Sequence, residues 1–226
     1  MKPMQSIHYA VLADLVKSRA IEQRAQVQAS LIDALDALNR RFADVLAAPL
    51  AMTAGDEFEG LFLSPAPLLP IAQTLSDRIA PHRLTFGFGA GTLVTPLTGP
   101  VEERQIGRLD GPVFHAARSA LGAARRDDAW LAAQGFGAPC DLAVSGIGEL
   151  LGELRWAWTD RRAEIVALAR GRKQKLVAAE LGVSQSVVSE ALKAARYDVV
   201  LRNEARLQSL LEQSTQRLAA EIQPEE

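Results

Sequence analysis

The sequence predicts an α+β domain of about 150 residues followed by a small unit made only of helices. Apolar runs of strand length alternate with amphipathic runs of helix length as far as residue 152, and beyond that residue only helical spacing recurs. The chain has 226 residues, of which 48% are hydrophobic and 23% are charged. This is the composition of a globular protein, and it excludes a disordered chain.

The first elements are predicted by the length and spacing of their apolar runs. Residues 7–16 are almost continuously apolar, as in a strand covered on both faces. Residues 21–46 carry apolar side chains at steps of three and four, which predicts a long helix. In residues 49–63, Gly55 and Asp56 separate two alternating segments, which predicts a β-hairpin.

The next strand, predicted over residues 83–95, has glycines on one face. Gly87, Gly89 and Gly91 would let a helix or a ligand approach the sheet closely. The same criteria predict helices at residues 68–79, 111–126 and 140–158 and a strand at residues 130–136. The order strand, helix, hairpin, helix, strand is that of a ferredoxin-like fold, so we expect an antiparallel sheet backed by helices.

The stretch from Arg172 to Arg196 predicts two short amphipathic helices separated by a turn at Gly182. Gly182 can adopt a left-handed turn, and the Ser184 side chain can cap the second helix by accepting a backbone N–H. With a helix at residues 161–169 before it, this pattern is typical of a helix-turn-helix unit, and the alternative is an ordinary helical hairpin. The apolar residues expected to form the core of this unit are Val177, Ala178, Leu181, Val183, Val188 and Leu192.

Charge is unevenly distributed along the chain, although the net charge is only −2. Residues 155–196 carry 9 Lys and Arg against 4 Asp and Glu, a balance of +5. Residues 1–154 carry 13 against 17, and residues 197–226 carry 3 against 6. Only the predicted helix-turn-helix segment is therefore basic enough to neutralise DNA phosphates, and the alternative is a basic solvated face.

The predicted DNA contacts lie on the outer side of the second helix and around the start of the first. Side chains at the start of a recognition helix meet base edges in the major groove, and basic side chains meet phosphates. We therefore assign Gln185 and Ser186 to bases and Lys193 to a phosphate. The full set is Arg172, Lys173, Lys175, Ser184, Gln185, Ser186, Ser189, Glu190 and Lys193.

Two carboxylates in the first domain are candidate metal ligands. Asp14 interrupts the first apolar run, where a carboxylate is costly to bury unless it is paired, hydrogen-bonded or bound to a metal. Asp56 lies at the hairpin tip and approaches Asp14 if the hairpin pairs beside the first strand. Two such oxygen ligands suit Mg²⁺ holding a polyphosphate. The alternatives are an aspartate paired with Lys17 or Arg19 and an ordinary turn residue.

Five parts of the chain stand out in combination: YAVLADLVKSR, TAGDEFEGLF, the glycine-rich strand, GPVFHAARSAL and the final segment WTDRRAEIVALARGRKQKLVAAELGVSQSVVSEAL. With these segments, the chain resembles the SatD family over nearly its whole length. The resemblance implies a bacterial cytoplasmic protein.

The first domain also resembles the catalytic domains of class III nucleotide cyclases, and its GDEF segment is similar to the motif of diguanylate cyclases. The cyclase pattern places one metal aspartate at the end of the first strand and another in the hairpin turn, which implies Asp14 and Asp56 as Mg²⁺ ligands. It also implies Arg118 as a nucleotide-binding residue. Phe114 replaces an expected asparagine and Met52 an expected lysine, so the resemblance implies a degenerate site. The two alternatives are a site that senses a nucleotide or a metal and a structural relic.

The segment after Arg196 predicts a C-terminal helix with an apolar stripe. Near-heptad spacing of Val200, Leu207, Leu211 and Leu218 indicates either that the helix pairs two subunits in a homodimer or that it packs back onto its own domain. The predicted organisation is a cyclase-like domain at residues 1–152, a helix-turn-helix domain at residues 153–198 and a C-terminal helix at residues 199–226.

The chain as a whole predicts a homodimeric transcription regulator that binds double-stranded DNA and senses a nucleotide or metal. The alternative is a metal-dependent nucleotide-processing enzyme that uses the helix-turn-helix for docking. No apolar run approaches the roughly 18 residues of a membrane-spanning helix, so we expect a cytoplasmic protein. The three histidines give no zinc-ligand spacing, and the single cysteine excludes an internal disulfide.

Overall fold

A computed structural model describes residues 6–222 and the side chains of residues 6–53 and 55–214. The strands are β1 (His8–Leu15), β2 (Leu46–Ala54), β3 (Glu57–Phe62), β4 (Leu84–Gly91) and β5 (Leu131–Gln134). The α-helices are α1 (Arg24–Arg41), α2 (Leu68–Arg78), α3 (Pro112–Arg126), α4 (Ala138–Trp156), α5 (Asp160–Ala169), α6 (Gln174–Leu181), α7 (Gln185–Ala194) and α8 (Tyr197–Ile222). The protein is thus of the predicted α+β class, and within the described range no helix is long and apolar enough to cross a membrane.

The strands form one mixed sheet in the order β2-β3-β1-β4-β5. The pairs β2–β3, β3–β1 and β1–β4 are antiparallel, as predicted, and the first six elements follow the β-α-β-β-α-β order of a ferredoxin-like unit. The prediction of a purely antiparallel sheet is wrong at β5, which pairs parallel to β4. Helix α3 connects these two strands, and a crossover of this length returns the chain in the same direction.

Helices cover both faces of the sheet. Helices α1 and α2 contribute Leu31, Leu35 and Leu75 to the larger core, which also contains Phe86 and Phe88 of β4. The second core, on the opposite face, lies under α3. Because β1 lies between these two cores, nearly all of its residues are buried, which explains its continuous apolar run.

The glycines of β4 allow α3 to lie directly on the sheet. A Cβ atom added to Gly87 would lie 2.2 Å from the Ala117 carbonyl oxygen, and one added to Gly89 would lie 2.4 Å from the Ala117 nitrogen. This confirms the predicted close approach of a helix. The strand ends at Gly91 and not at Thr95, because Gly91 pairs with the first residue of β1 and no strand continues beyond it.

The predicted boundaries differ from the structure at two further places. Helix α1 ends at Arg41 and not near residue 46, because β2 begins at Leu46 and pairs there with Phe62. The predicted domain boundary at residue 152 falls inside α4, which continues to Trp156. The last four residues of the predicted third segment, 223–226, lie outside the described range.

The C-terminal helix α8 packs on the first domain. Val200, Leu207 and Leu211 are completely buried in the larger core. These residues belong to the stripe with near-heptad spacing, so their apolar surface is already covered within one chain. Of the two arrangements left open by the sequence, the structure contains the one in which the helix packs back onto its own domain.

Helices α5, α6 and α7 enclose a separate small core. It contains Val177, Val188 and Leu192, as predicted from their spacing, together with Ile165 and Val166 of α5. Leu181 and Val183 are partly buried against it. The three helices therefore form a compact unit with their own apolar contacts.

Four charged residues join this unit to the first domain, and two of them, Arg155 and Glu204, are buried. Arg155 of α4 contacts Asp77 of α2 at 3.1 Å and Glu204 of α8 at 3.3 Å. Arg170, which follows α5, contacts the same two carboxylates at 2.5 Å and 2.7 Å. We call this group the charge clamp. Its two positive and two negative charges balance, so burial of these groups is compensated by direct pairing.

Candidate functional site

The turn between α6 and α7 has the local geometry that the sequence predicts. Gly182 ends α6 in a left-handed conformation with a φ of 64°, and the Val183 N–H donates a hydrogen bond to the Ala178 carbonyl at 3.0 Å. The Ser184 hydroxyl then accepts a hydrogen bond from the Val187 N–H at 3.4 Å, which caps α7. This turn directs the N-terminal end of α7 away from the small core.

The outer side of α7 is polar and exposed. Val188 and Leu192 are buried in the small core and Ala191 is partly buried against it, whereas the other positions of the helix are exposed. The exposed side chains include every residue of the predicted recognition set on this helix and its cap, namely Ser184, Gln185, Ser186, Ser189, Glu190 and Lys193. The Ser184 and Ser186 hydroxyls lie 2.7 Å apart, which holds the first turn in a defined arrangement.

The basic side chains beside this face are only partly available to a partner. Arg172, Lys173 and Lys175 are exposed, as predicted, but Arg172 forms an ion pair with Glu180 of the same unit. Arg170 contributes to the +5 balance of the segment, yet it lies in the charge clamp and faces the first domain. Counting charges along the sequence therefore overstates the positive charge of the surface.

A second group of charged residues lies around the β2–β3 hairpin. Asp14 of β1 is opposite Glu57 of β3 in the sheet register. The Arg125 guanidinium of α3 lies 2.8 Å from the Asp14 Oδ2 atom and 2.8 Å from the Glu57 Oε1 atom. Asp56, at the hairpin tip, lies 4.0 Å from Arg24 of α1. We call these residues the hairpin cluster.

The two predicted metal ligands interact electrostatically in the hairpin cluster. Burial raises the pKa of the Asp14 carboxyl, the positive charge of Arg125 opposes this shift, and the negative charge of Asp56 adds to it. The basic partner of Asp14 is Arg125, whereas the sequence pointed to Lys17 or Arg19. Lys17 is exposed and has a left-handed backbone with a φ of 54°.

Arg118 lies on the same helix as Arg125 and contacts the sheet nearby. Its Nη2 atom is 3.3 Å from the Glu59 Oε1 atom, with the Arg118 side chain 66% exposed and the Glu59 side chain 11% exposed. Burial raises the pKa of the Glu59 carboxyl, and the charge and hydrogen bond of Arg118 oppose that shift. Arg118 is thus an exposed cation that Glu59 holds in place.

A family model described as the SatD family matches residues 8–131. The chain belongs to the SatD family. The match begins at β1 and ends at the first residue of β5, so it covers the first domain only as far as β5 and is shorter than the resemblance inferred from the sequence. No curated protein matches the chain.

Among solved structures, this SatD family protein is similar to two guanylyl cyclase domains. One is the catalytic core of a rhodopsin-guanylyl cyclase with converted specificity in complex with ATPalphaS. The sequence identity is 16%, the match covers 52% of this chain and 72% of that chain, and the TM-score is 0.36. The other is a dimeric guanylyl cyclase domain of the RhoGC fusion protein from the aquatic fungus Blastocladiella emersonii, with 16% identity, coverage of 52% and 74% and a TM-score of 0.36.

The carboxylates of this SatD protein fit Mg²⁺ only if a bound ligand supplies the other oxygen atoms of the coordination shell. Among the described residues, no group of three or more His, Cys, Asp or Glu side chains could hold a metal ion. Mg²⁺ often takes one or two carboxylates and completes its shell with phosphate oxygens and water. Asp14 and Asp56 could supply the carboxylates, and a cation there would compete with Arg125 and Arg24 for them.

The sequence reasoning missed Arg125 and Glu57 of the hairpin cluster and Glu59, the partner of Arg118. A signal for Arg125 was present, because it follows Arg118 by two helical turns and so lies on the same side of α3. Glu57 and Glu59 alternate with Phe58 along β3, which also places them on one face. What the sequence did not reveal is that α3 crosses the sheet at this point.

Proposed function

We propose that this SatD family protein is a sequence-specific DNA-binding transcription regulator, with α6 and α7 acting as a helix-turn-helix. The observation that carries the proposal is the outer side of α7, where six polar side chains are exposed from the capped N-terminus to the last turn. Such a face can enter the major groove and form hydrogen bonds with base edges. The segment is also the only one of the three that is net basic.

The test is a selection of genomic DNA fragments by the full-length protein at moderate salt. We expect an enriched sequence, and we expect Gln185→Ala to reduce the enrichment. Gln213→Ala is the matched control, because Gln213 is an exposed glutamine of α8 outside the proposed face. A selection that returns no enriched sequence would overturn the proposed function.

We propose that the regulator binds DNA as a homodimer, because two heads related by a two-fold axis can read two half-sites. Val200, Leu207 and Leu211 of α8 are buried in one chain, so the subunit contact has to use another surface. Light scattering of the protein, alone and with the selected DNA, measures the stoichiometry. Two chains on a two-fold symmetric site are expected, and one chain per site would contradict this assignment.

We propose further that the first domain binds a nucleotide with Mg²⁺, with Asp14 and Asp56 as metal ligands and Arg118 near the phosphates. The electrostatic coupling of Asp14 and Asp56 supports this assignment, since two carboxylates that repel each other gain from a shared cation. Arg118 supports it as an exposed cation on the same side of the sheet. A bound nucleotide at this site would act as an effector of DNA binding.

Thermal shift with nucleoside triphosphates and cyclic nucleotides, with and without Mg²⁺, tests this part of the proposal. A ligand at a hundredfold excess over its Kd stabilises the folded state by about 2.7 kcal/mol. We expect a Mg²⁺-dependent shift that is abolished by Asp14→Ala or Asp56→Ala. Asp44→Ala is the control and should retain the shift, because Asp44 is exposed and precedes β2, whereas the hairpin tip follows that strand. Analysis of products in the same samples distinguishes sensing from the alternative function, nucleotide processing.

A further inference from the structure

A groove of about 590 Å³ lies where α6 begins, α7 ends and α8 begins. Its lining includes one carboxylate, that of Asp198, and four basic side chains. The basic side chains are those of Arg172, Lys193, Arg196 and Arg202, all of them exposed. The groove therefore presents an excess of positive charge to solvent.

Three of these basic side chains have no ion-pair partner among the side chains of residues 6–53 and 55–214. Arg172 is paired with Glu180. In the part of the chain that the structure describes, no salt bridge involves Lys193, Arg196 or Arg202. Cations that converge on one groove without partners repel one another, and a partner rich in phosphates relieves that repulsion.

The backbone fixes the positions of the two arginines that follow α7. Arg196 has a left-handed conformation with a φ of 56° at the junction of α7 and α8. Its carbonyl oxygen accepts hydrogen bonds from the Val199 and Val200 N–H groups, at 2.9 Å and 3.0 Å, which begins α8. Arg202 follows on the regular helix. Arg196 thus projects from a hydrogen-bonded turn and Arg202 from a helix.

We propose that this groove binds the sugar-phosphate backbone of duplex DNA and that Arg196 and Arg202 contact phosphates there. The inference rests on the proposed function and extends it to two residues outside the predicted recognition set. Ser189 and Lys193 line the groove and also belong to the exposed side of α7. One duplex can therefore meet the base-reading end of α7 and the groove together.

The test is the salt dependence of DNA affinity, measured by fluorescence anisotropy with the selected operator and with a random duplex. Each phosphate contact contributes about 0.9 to the slope of log K against log salt concentration. The double variant Arg196→Asn, Arg202→Gln should therefore lose about 1.8 of that slope. Asn tolerates the left-handed conformation of residue 196, so the turn should be retained.

Three controls distinguish an effect of the lost positive charge from an effect of misfolding. Arg206→Gln should keep the wild-type slope, because Arg206 is an exposed arginine of α8 outside the groove lining. Arg202→Lys should also keep it, because the positive charge remains. The double variant should melt at the wild-type temperature and should weaken operator and random duplex by the same factor, since phosphates carry no base sequence.

The outcomes distinguish this inference from the proposed function. If the wild-type protein binds no duplex at any salt concentration, the proposed function and this inference are both overturned. If it binds and the double variant retains the wild-type slope, only the groove assignment is wrong. Preferential binding of single-stranded RNA that the double variant loses would show that the groove binds phosphates of another nucleic acid, which also overturns the assignment to duplex DNA.

Discussion

Replacing Glu204 by Gln should destabilise the protein because it unbalances the charge clamp. The Glu204 side chain is only 2% exposed and contacts Arg155 and Arg170. Gln keeps nearly the same size and still accepts hydrogen bonds, so the substitution removes mainly the negative charge. Two arginines then remain with the single carboxylate of Asp77, and one positive charge is left buried without compensation.

The magnitude follows from the contacts that remain. Removing one partner of a buried ion pair typically costs about 3–5 kcal/mol. Arg155 also lies over the Trp130 ring, with its guanidinium carbon 4.4 Å from the ring centroid, and it keeps its contact with Asp77. Because these contacts compensate part of the excess charge, we expect a loss of about 3 kcal/mol in the free energy of unfolding.

Urea denaturation, followed by circular dichroism and by tryptophan fluorescence, measures this loss. The fluorescence is a local probe, because Arg155 also lies over the Trp158 ring at 5.3 Å. Glu212→Gln is the matched control, since Glu212 is an exposed glutamate of α8 and its substitution should change stability by no more than about 0.5 kcal/mol.

A double-mutant cycle separates charge balance from loss of packing. Adding Arg170→Gln to Glu204→Gln restores neutrality, so the two substitutions together should cost less than the sum of the single losses, by about 0.5–3 kcal/mol. Strict additivity, or a Glu204→Gln variant as stable as the Glu212→Gln control, would refute the argument that paired charges join the small helical unit to the first domain.

Three further predictions concern the sheet and α7. Burial raises the pKa of the Glu59 carboxyl, so the folded state keeps this proton after the unfolded chain has lost it, and the free energy of unfolding falls as pH rises above 4.5. Glu59→Gln should remove that fall in urea titrations at acidic and neutral pH, and an unchanged profile would contradict the assignment. Gly89→Ala should lower the unfolding free energy by about 1–3 kcal/mol in thermal denaturation, because the backbone of α3 occupies the space of the added methyl group. Gly122→Ala should not lower the unfolding free energy, because a Cβ atom added there would meet only a side-chain atom at 3.9 Å. Equal losses of unfolding free energy in the two variants would be evidence against the close approach of α3. Gln185→Ala should reduce discrimination between operator and random DNA by about 1–3 kcal/mol in anisotropy titrations, whereas Lys193→Ala should weaken both equally. If both substitutions reduced the affinity for both duplexes by the same factor, these roles would be wrongly assigned.

The sequence by itself determined the features that depend on neighbours along the chain. The apolar run of β1, the glycine face of β4 and the Gly182–Ser184 turn were all predicted at their observed positions. Their physical causes are local, because strand and helix periods, a left-handed turn and a helix cap involve residues at most a few positions apart. For the same reason, the exposed polar side of α7 could be predicted residue by residue.

Tertiary structure alone decided which charged groups meet. Arg170 contributes to the positive balance of residues 155–196, yet it pairs with Asp77, 93 positions away, and with Glu204, 34 positions away. Glu204 lies within the apolar stripe of α8. Because this stripe packs on the first domain, the Glu204 carboxylate is buried there, in the charge clamp. Ion pairs are specified by how helices cross and not by any period. The partner of Asp14 and the place of Arg196 and Arg202 in the groove therefore emerged only when the elements were packed together.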